Sequence, residues 1–323
     1  MTRHAKTLSC SIVICTHNRA DLLGDAIASV YGANADRDRV ELIVVDSAST
    51  DSTETTAKAA LRGSPFPARY VREEQPGLSR ARNRGVQEAS HEIILFLDDD
   101  ARPRTARWIS NILAGFSDSR VGAVGGDTVA VWPDGRPPAW MPERLYYFFG
   151  ATRPRADAPR RCAYPDYPWG ANLAFRKQSL QRIGGFSESL GRLGDELRSG
   201  EETEACLKLE QAGLLIKLVP GAAVDHLVAR RRLTRTWMQE RACASGASAV
   251  LLESRNFSRA RRLRYALMRA SIAGVASLGL RIARVMRRPR LQTFLEMELV
   301  IAQSYLSHLT MRSYPDRPPD ERN

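Results

Sequence analysis

The chain has 323 residues, 43% of them hydrophobic and 26% charged, which suits one large soluble domain or a domain with a helical appendage. Its five cysteines are scattered, which excludes a cysteine-rich metal module, and the odd count with no apolar leader at the start points to a reducing, cytoplasmic setting. The formal charge is +12, yet residues 1–227 carry 29 basic and 29 acidic side chains, while residues 228–323 carry 19 and 7.

Residues 9–15 predict a first strand, which ends in the polar loop Thr16-His17-Asn18-Arg19. A helix follows over 21–30, with Leu22, Leu23, Ala26, Ile27 and Val30 on one side. Residues 41–45 predict a second strand that ends at Asp46, then a short polar loop and a helix over 52–61. A short strand at 69–71 leads to a helix over 78–89 that bears Arg80, Arg82, Asn83 and Arg84. Residues 93–97 are five consecutive apolar residues, the signature of a strand buried on both faces. This alternation predicts a parallel sheet with right-handed crossovers.

The fourth strand runs directly into Asp98-Asp99-Asp100. Ligands bind at the carboxyl ends of such strands. Three adjacent acids repel one another, and a divalent cation completed by a nucleotide diphosphate would offset that repulsion. The plain alternative is an acidic turn in which Asp100 caps the next helix. There is no glycine-rich dinucleotide fingerprint after the first strand. The loop there is still placed to contact a base. Asp46 is placed to accept from a ribose hydroxyl or a base N–H, or else to cap a turn.

Beyond Asp100 the pattern predicts a helix over 104–116 and a glycine-bent strand over 121–129. Residues 132–168 are rich in proline, arginine and aromatics, and read as a partly helical insert covering the substrate. A strand then follows Trp169-Gly170-Ala171-Asn172, and a short helix spans 178–183. Gly200-Glu201-Glu202 opens a helix over 203–212, a strand covers 215–219, and Val224-Asp225-His226 comes after Pro220-Gly221. The remainder predicts helices over 234–252, 260–288 and 291–309, then a polar tail over 315–323. The apolar run 270–280, between Arg269 and Arg281, is eleven residues long and too short to span a bilayer.

The ordered set of segments resembles the family 2 glycosyltransferases over about residues 8–230. The matching stretches are Ser11 to Arg19, Val44 to Asp51, Pro76 to Asn83, Phe96 to Asp100, Trp169 to Asn172 and Gly200 to Glu202. The resemblance implies a GT-A fold, an α/β architecture with a mostly parallel central sheet and here a C-terminal helical extension. It implies inverting transfer of a sugar from a nucleotide-sugar, UDP- or dTDP-linked, with Mn²⁺ or Mg²⁺. The expected domains are 1–227, split at residue 100 into nucleotide-binding and acceptor-binding halves, and a basic helical region over 228–314.

Carried onto this chain, the resemblance implies that Thr16, Asn18, Arg19 and Asp46 hold the nucleoside, with Arg80 and Asn83 close by. Asp98 and Asp100 match the ends of the family's DxD, with Asp100 as the metal carboxylate, Asp98 on ribose or metal, and Asp99 the least explained. Trp169, Gly170 and Asn172 would line the acceptor side, although Trp169 also suits a core. His226 matches a histidine that approaches the metal or diphosphate, or is simply a satisfied strand-end histidine. The family usually shows Glu-Asp after the glycine, with the Asp as base. Here Glu202 takes that place, with Glu201 as the alternative. A carboxylate in the first turn of a helix is expected to stay ionised through the helix dipole.

Other classes remain open: a non-catalytic nucleotide-sugar-binding scaffold, and a nucleotidyltransferase, which would want a glycine- and lysine-rich first loop. The basic C-terminal helices suit an anionic membrane surface, self-association through the small-residue stretch 242–249, or plain coverage of the catalytic domain. Nucleic acid is not expected, since no aromatic stacking platform accompanies the charge.

Overall fold

The computed structural model describes residues 8–33, 36–151, 158–194 and 196–310. The tail expected over 315–323 lies outside them. Of the described residues, those up to 138 and 143–234 form one compact unit, and 139–142 with those from 235 onward form a second. The division thus falls after Thr234, where the sequence placed it after residue 227.

The first unit begins with β1 (Cys10–Thr16), α1 (Ala20–Tyr31), β2 (Val40–Ser47), α2 (Thr53–Leu61), β3 (Ala68–Glu73), α3 (Leu78–Glu88) and β4 (Ile93–Asp98). β5 (Ala101–Pro103), α4 (Trp108–Gly115), β6 (Val121–Val131), β7 (Arg160–Cys162) and β8 (Asn172–Arg176) follow. The unit closes with α5 (Lys177–Arg182), α6 (Glu201–Gln211) and β9 (Leu215–Leu227). The strands form one sheet in the order β3-β2-β1-β4-β8-β6-β9-β5, with β7 on β9. β3, β2, β1 and β4 are parallel, as expected of strands fed by crossover helices. β8 is antiparallel to both β4 and β6. That reversal marks the border between the two halves of the sheet.

Ile93 to Leu97 of β4 are all buried, sandwiched as the apolar run requires. Full burial of each such side chain contributes about 1.5–3 kcal/mol, enough for the strand to outweigh the repulsion among the acids at its end. The helix expected over 104–116 is shorter, because Ala101–Pro103 pairs with β9 instead. The strand expected over 215–219 is also longer. β9 runs through Pro220 and Gly221 as one thirteen-residue strand, and its register against β6 shifts between Gly126 and Thr128. The shift accommodates a proline that cannot donate to a regular ladder. The insert contains a 3₁₀ segment, Glu143–Phe149, and β7.

The second unit holds α7 (Arg235–Asn256), α8 (Arg259–Val285) and α9 (Pro289–Thr310). The small residues of α7 pack within the chain. Ala242 is fully buried, and a Cβ on Gly246 would lie 2.5 Å from the Ile301 carbonyl oxygen of α9. Those two positions are therefore taken up within the chain. Among the described residues one helix, Arg259–Val285, is long and apolar enough to cross a membrane by length and composition. The sequence reading stopped that apolar run at its two flanking arginines, whereas the helix continues past both.

Candidate active site

The site is assembled by β4 and by the short β5. β5 pairs antiparallel with β9, so that Ala101 lies opposite His226. Asp100 therefore comes beside His226, whose Nε2 lies 3.0 Å from Asp100 Oδ1. The ligand atoms of Asp98, Asp100 and His226 all fall within 4.8 Å of one another. His226 Nδ1 lies 2.7 Å from the Phe149 carbonyl oxygen, so this nitrogen carries the proton and Nε2 faces Asp100. The aromatic insert thus sets the ring's orientation. Two carboxylates and a nitrogen aimed at one point are a donor set that fits a divalent cation such as Mn²⁺.

Two guanidinium groups share this corner: Arg19 lies 3.5 Å and Arg232 3.6 Å from Asp100 Oδ2. Burial pushes the Asp100 carboxyl up, but His226, Arg232 and Arg19 outweigh it and hold it below the usual carboxylate range. Burial pushes His226 down, and Asp100 more than reverses that. Asp99 turns away and accepts from Thr16 Oγ1 at 2.8 Å. Its burial, with Asp100 beside it, pushes it up to about 7.

The side expected to hold the nucleoside is a knot of loops. Asn18 has φ +50°, and its Oδ1 accepts from Thr50 N at 2.8 Å, which ties the loop after β1 to the loop after β2. Asp46 is fully buried. It accepts from Ser49 N at 2.9 Å, Tyr70 Oη at 2.7 Å and Arg72 Nη1 at 3.3 Å. Arg80 pairs with Glu188 at 3.0 Å and lines a 260 Å³ cleft with Gly77 and Arg192. Asn83 does not face that cleft. Its amide clamps the Phe186 backbone, donating to the carbonyl at 2.9 Å and accepting from the N–H at 2.8 Å. The resemblance implied a place near the nucleoside for both Arg80 and Asn83, but the turn at Phe186 takes up both polar atoms of the Asn83 amide.

On the opposite side, α6 starts after Gly200, which has φ +103°, and puts Glu201 and Glu202 in its first turn. The expected helix began two residues later. Glu201 is buried and accepts from Arg82 Nη1 at 2.6 Å. Arg82 Nη2 reaches Asp98 Oδ1 at 3.5 Å, so one guanidinium links α6 to the acids after β4. Glu202 is half-buried; its Oε2, like Glu201 Oε2, is buried with no hydrogen-bond partner, and only Glu201 has its other oxygen held by an arginine. Burial and Glu201 push the Glu202 carboxyl up to about 7. The helix dipole does not keep it at an ordinary carboxylate value, because desolvation is the larger effect.

Asn172, expected on the acceptor side, is fully buried inside the sheet. Its Oδ1 accepts from Trp108 Nε1 at 3.0 Å, and its Nδ2 donates to Ala222 O at 2.7 Å and Asp127 O at 3.3 Å. It braces β8, β6 and β9 and has no N–H left for a sugar. Gly170 serves Arg82: a Cβ there would lie 2.6 Å from Arg82 Nη2. Gly170→Ala is therefore expected to displace the guanidinium, lower stability by about 1–3 kcal/mol and cut transfer activity. Melting temperature and initial rate read the two effects, and an unchanged pair would show that Arg82 has room to move. Trp169 does line a cleft of 410 Å³, with Tyr146, Tyr147, Tyr167, Arg160 and Thr203, next in sequence to Glu202.

Arg82 was named on the third helix without a role, and Tyr70, Arg72 and Arg232 were given none either. Arg82 left a trace: it falls on the helix face of Ala81, Gly85 and Val86, where an unpaired charge is costly. Arg232 left none, since it is one of three consecutive arginines.

A parallel half of the sheet, an antiparallel β8 beside β4 and a DxD-type acid run at the end of β4 define a GT-A glycosyltransferase. The chain belongs to glycosyl transferase family 2, whose family model matches residues 11–184. It is similar to the glucosyl-dolichyl phosphate glucuronosyltransferase of Haloferax volcanii, with 23% identity across 75% of this chain and 77% of that one. It is also similar to the succinoglycan biosynthesis protein ExoM of Rhizobium meliloti, with 28% identity across 75% and 74%. Among solved structures it resembles the mannosyltransferase PcManGT of Pyrobaculum calidifontis, in complex with GDP-Man and Mn²⁺. The TM-score is 0.66 at 20% identity, covering 95% of this chain and 88% of that one.

Proposed function

We propose that the chain transfers a sugar, with inversion, from a nucleoside diphosphate sugar to an acceptor hydroxyl in glycoconjugate assembly. The observation that carries this is the Arg82 link, which ties Glu201 at 2.6 Å to Asp98 at 3.5 Å. It sets a carboxylate-bearing helix end against a cation-type acid cluster, the two halves that a single displacement needs.

In this reading Glu202 is the base, because Glu201 is committed to Arg82. Glu202 takes the acceptor proton while the acceptor oxygen bonds to the anomeric carbon. The bond from that carbon to the diphosphate breaks on the opposite face, and the nucleoside diphosphate leaves with the electron pair. Held by Asp98, Asp100 and His226, a Mn²⁺ or Mg²⁺ ion would supply positive charge for that leaving group. Arg19 and Arg232 add fixed positive charge at the same corner. The nitrogen ligand favours Mn²⁺ over Mg²⁺. The acceptor enters the cleft of Trp169, Tyr146, Tyr147 and Tyr167, whose rings suit the flat face of a sugar.

A thermal-shift panel of UDP-, dTDP- and GDP-sugars, with and without Mn²⁺, tests the reading. UDP and dTDP are the leading donors, and GDP-mannose joins them because PcManGT was solved with it. At 100 times its dissociation constant a donor stabilises by about 2.7 kcal/mol. One nucleotide class is expected to raise the melting temperature by several degrees with Mn²⁺ and much less without it. No shift with any of them would sink the proposal.

A further inference from the structure

In the second unit, α8 turns its more apolar side outward. Its inner side is mostly small: Ala266, Ala276 and Ala283 are buried there with one large residue, Leu280, and a Cβ on Gly279 would meet Leu295 of α9 at 3.2 Å. Its outer side carries Leu263, Leu267, Val275, Leu278, Ile282 and Val285, each more than half exposed. At about 100° per residue these six fall within an arc of about 120°. A helix that only covers a soluble core has the reverse pattern. From residue 259 to residue 290 there are also ten arginines and not one acid.

We infer that α8 lies along an anionic lipid surface, with its leucine stripe among the acyl chains and its arginines on the headgroups. The charge distribution selects this occupant. The arginines cluster at both ends of the helix, at 259–264 and at 281–290. A two-fold pairing with a second copy, parallel or antiparallel, would set arginine against arginine at both ends. An anionic bilayer meets the same pattern with opposite charge, and basic groups flanking an apolar face suit an interfacial helix.

A membrane span is the other arrangement that the length of α8 permits. The inner side of the helix argues against it. Arg269 sits on that side, 5.8 Å from the Tyr305 ring centre of α9. α9, packed along α8, carries Gln292, Glu296, Glu298 and Gln303, which hydrocarbon would leave without water. The helix is thus built to lie on the surface. This inference stands apart from the reading of the cleft, and a failed donor screen would leave it untouched.

The test is co-sedimentation of the full chain with phosphatidylcholine vesicles, with and without about a third phosphatidylglycerol, a content chosen to give a surface potential of the order seen in anionic leaflets. Binding is expected only with the anionic lipid, weakening as salt rises. The double variant Leu267→Asp, Leu278→Asp changes exposed positions only. It is expected to keep the wild-type melting temperature and lose the binding. Each arginine near such a surface is worth about fivefold, so Arg284→Gln, Arg287→Gln and Arg288→Gln together should weaken binding about 100-fold. Equal binding to neutral vesicles, or undiminished binding by the aspartate variant, would overturn the inference. So would resistance to alkaline carbonate extraction, the mark of a span. A stable dimer by light scattering with no vesicle binding would assign the stripe to a second copy.

Discussion

Glu202→Gln is expected to lower the transfer rate by about 10²–10⁴-fold, the usual contribution of a positioned general base. Donor binding should survive, since Glu202 stands on α6, across Arg82 from the acids proposed to hold the cation and diphosphate. The pH profile supplies a second signature. A base works only when ionised, and burial with Glu201 alongside pushes the Glu202 carboxyl up to about 7. The wild-type rate at saturating donor should therefore fall as the pH drops below about 7 and level off above it. A carboxyl with an ordinary pKa would stay ionised well below pH 6. The glutamine variant should lose this limb. Glu201→Gln behaves differently: it removes one partner of a buried ion pair, which costs about 3–5 kcal/mol, and so acts on melting temperature as well as rate. If Glu202→Gln keeps the wild-type rate and pH limb, the base lies elsewhere, and Glu201 is the next candidate.

The contrast between these neighbours shows what the sequence could and could not say. The parallel half of the sheet was readable because β1, β2 and β4 carry mainly apolar runs and α1 has a buried apolar stripe, patterns set by local periodicity, whereas β3 and α2 are legible mostly from their place in the alternation. The acids at the end of β4 were readable for the same reason, as charges placed where burial ends. Which of Glu201 and Glu202 is held by an arginine was not readable. It depends on Arg82, 119 residues earlier in the chain, and on the missing Cβ of Gly170 that lets its guanidinium through. Asn172 misled for the complementary reason. A polar residue in a family-like motif reads as ligand-binding, but here its amide bridges Trp108, Asp127 and Ala222 inside the sheet. β5 was invisible because three residues carry no periodicity. Yet its pairing with β9 is what brings His226 to Asp100. Local pattern therefore gives the elements, and long-range pairing decides which polar groups remain available.

Asp100→Ala is expected to abolish the cation dependence of donor binding and to lower transfer by about 10³-fold or more, the several kcal/mol that a bound cation contributes to a departing diphosphate. Asp98 and His226 remain, but one carboxylate and one imidazole are a poor cage for Mn²⁺. The variant has a further consequence, set by the guanidinium groups. Arg19 and Arg232 lie 3.5 and 3.6 Å from Asp100 Oδ2, and the alanine leaves both without that carboxylate. They then present more positive charge where the diphosphate is expected to sit, although Asp99 still acts on Arg19. Residual donor binding by the variant should thus be weak, indifferent to Mn²⁺ and sensitive to salt. Asp100→Asn, which keeps the shape and loses the charge, should behave in the same way. Isothermal titration of the nucleoside diphosphate with and without Mn²⁺, at low and high salt, reads all three features. Donor binding by Asp100→Ala that still strengthens with Mn²⁺ as in the wild type would remove Asp100 from the cation site and leave its contacts with His226 and the two arginines as a structural cluster.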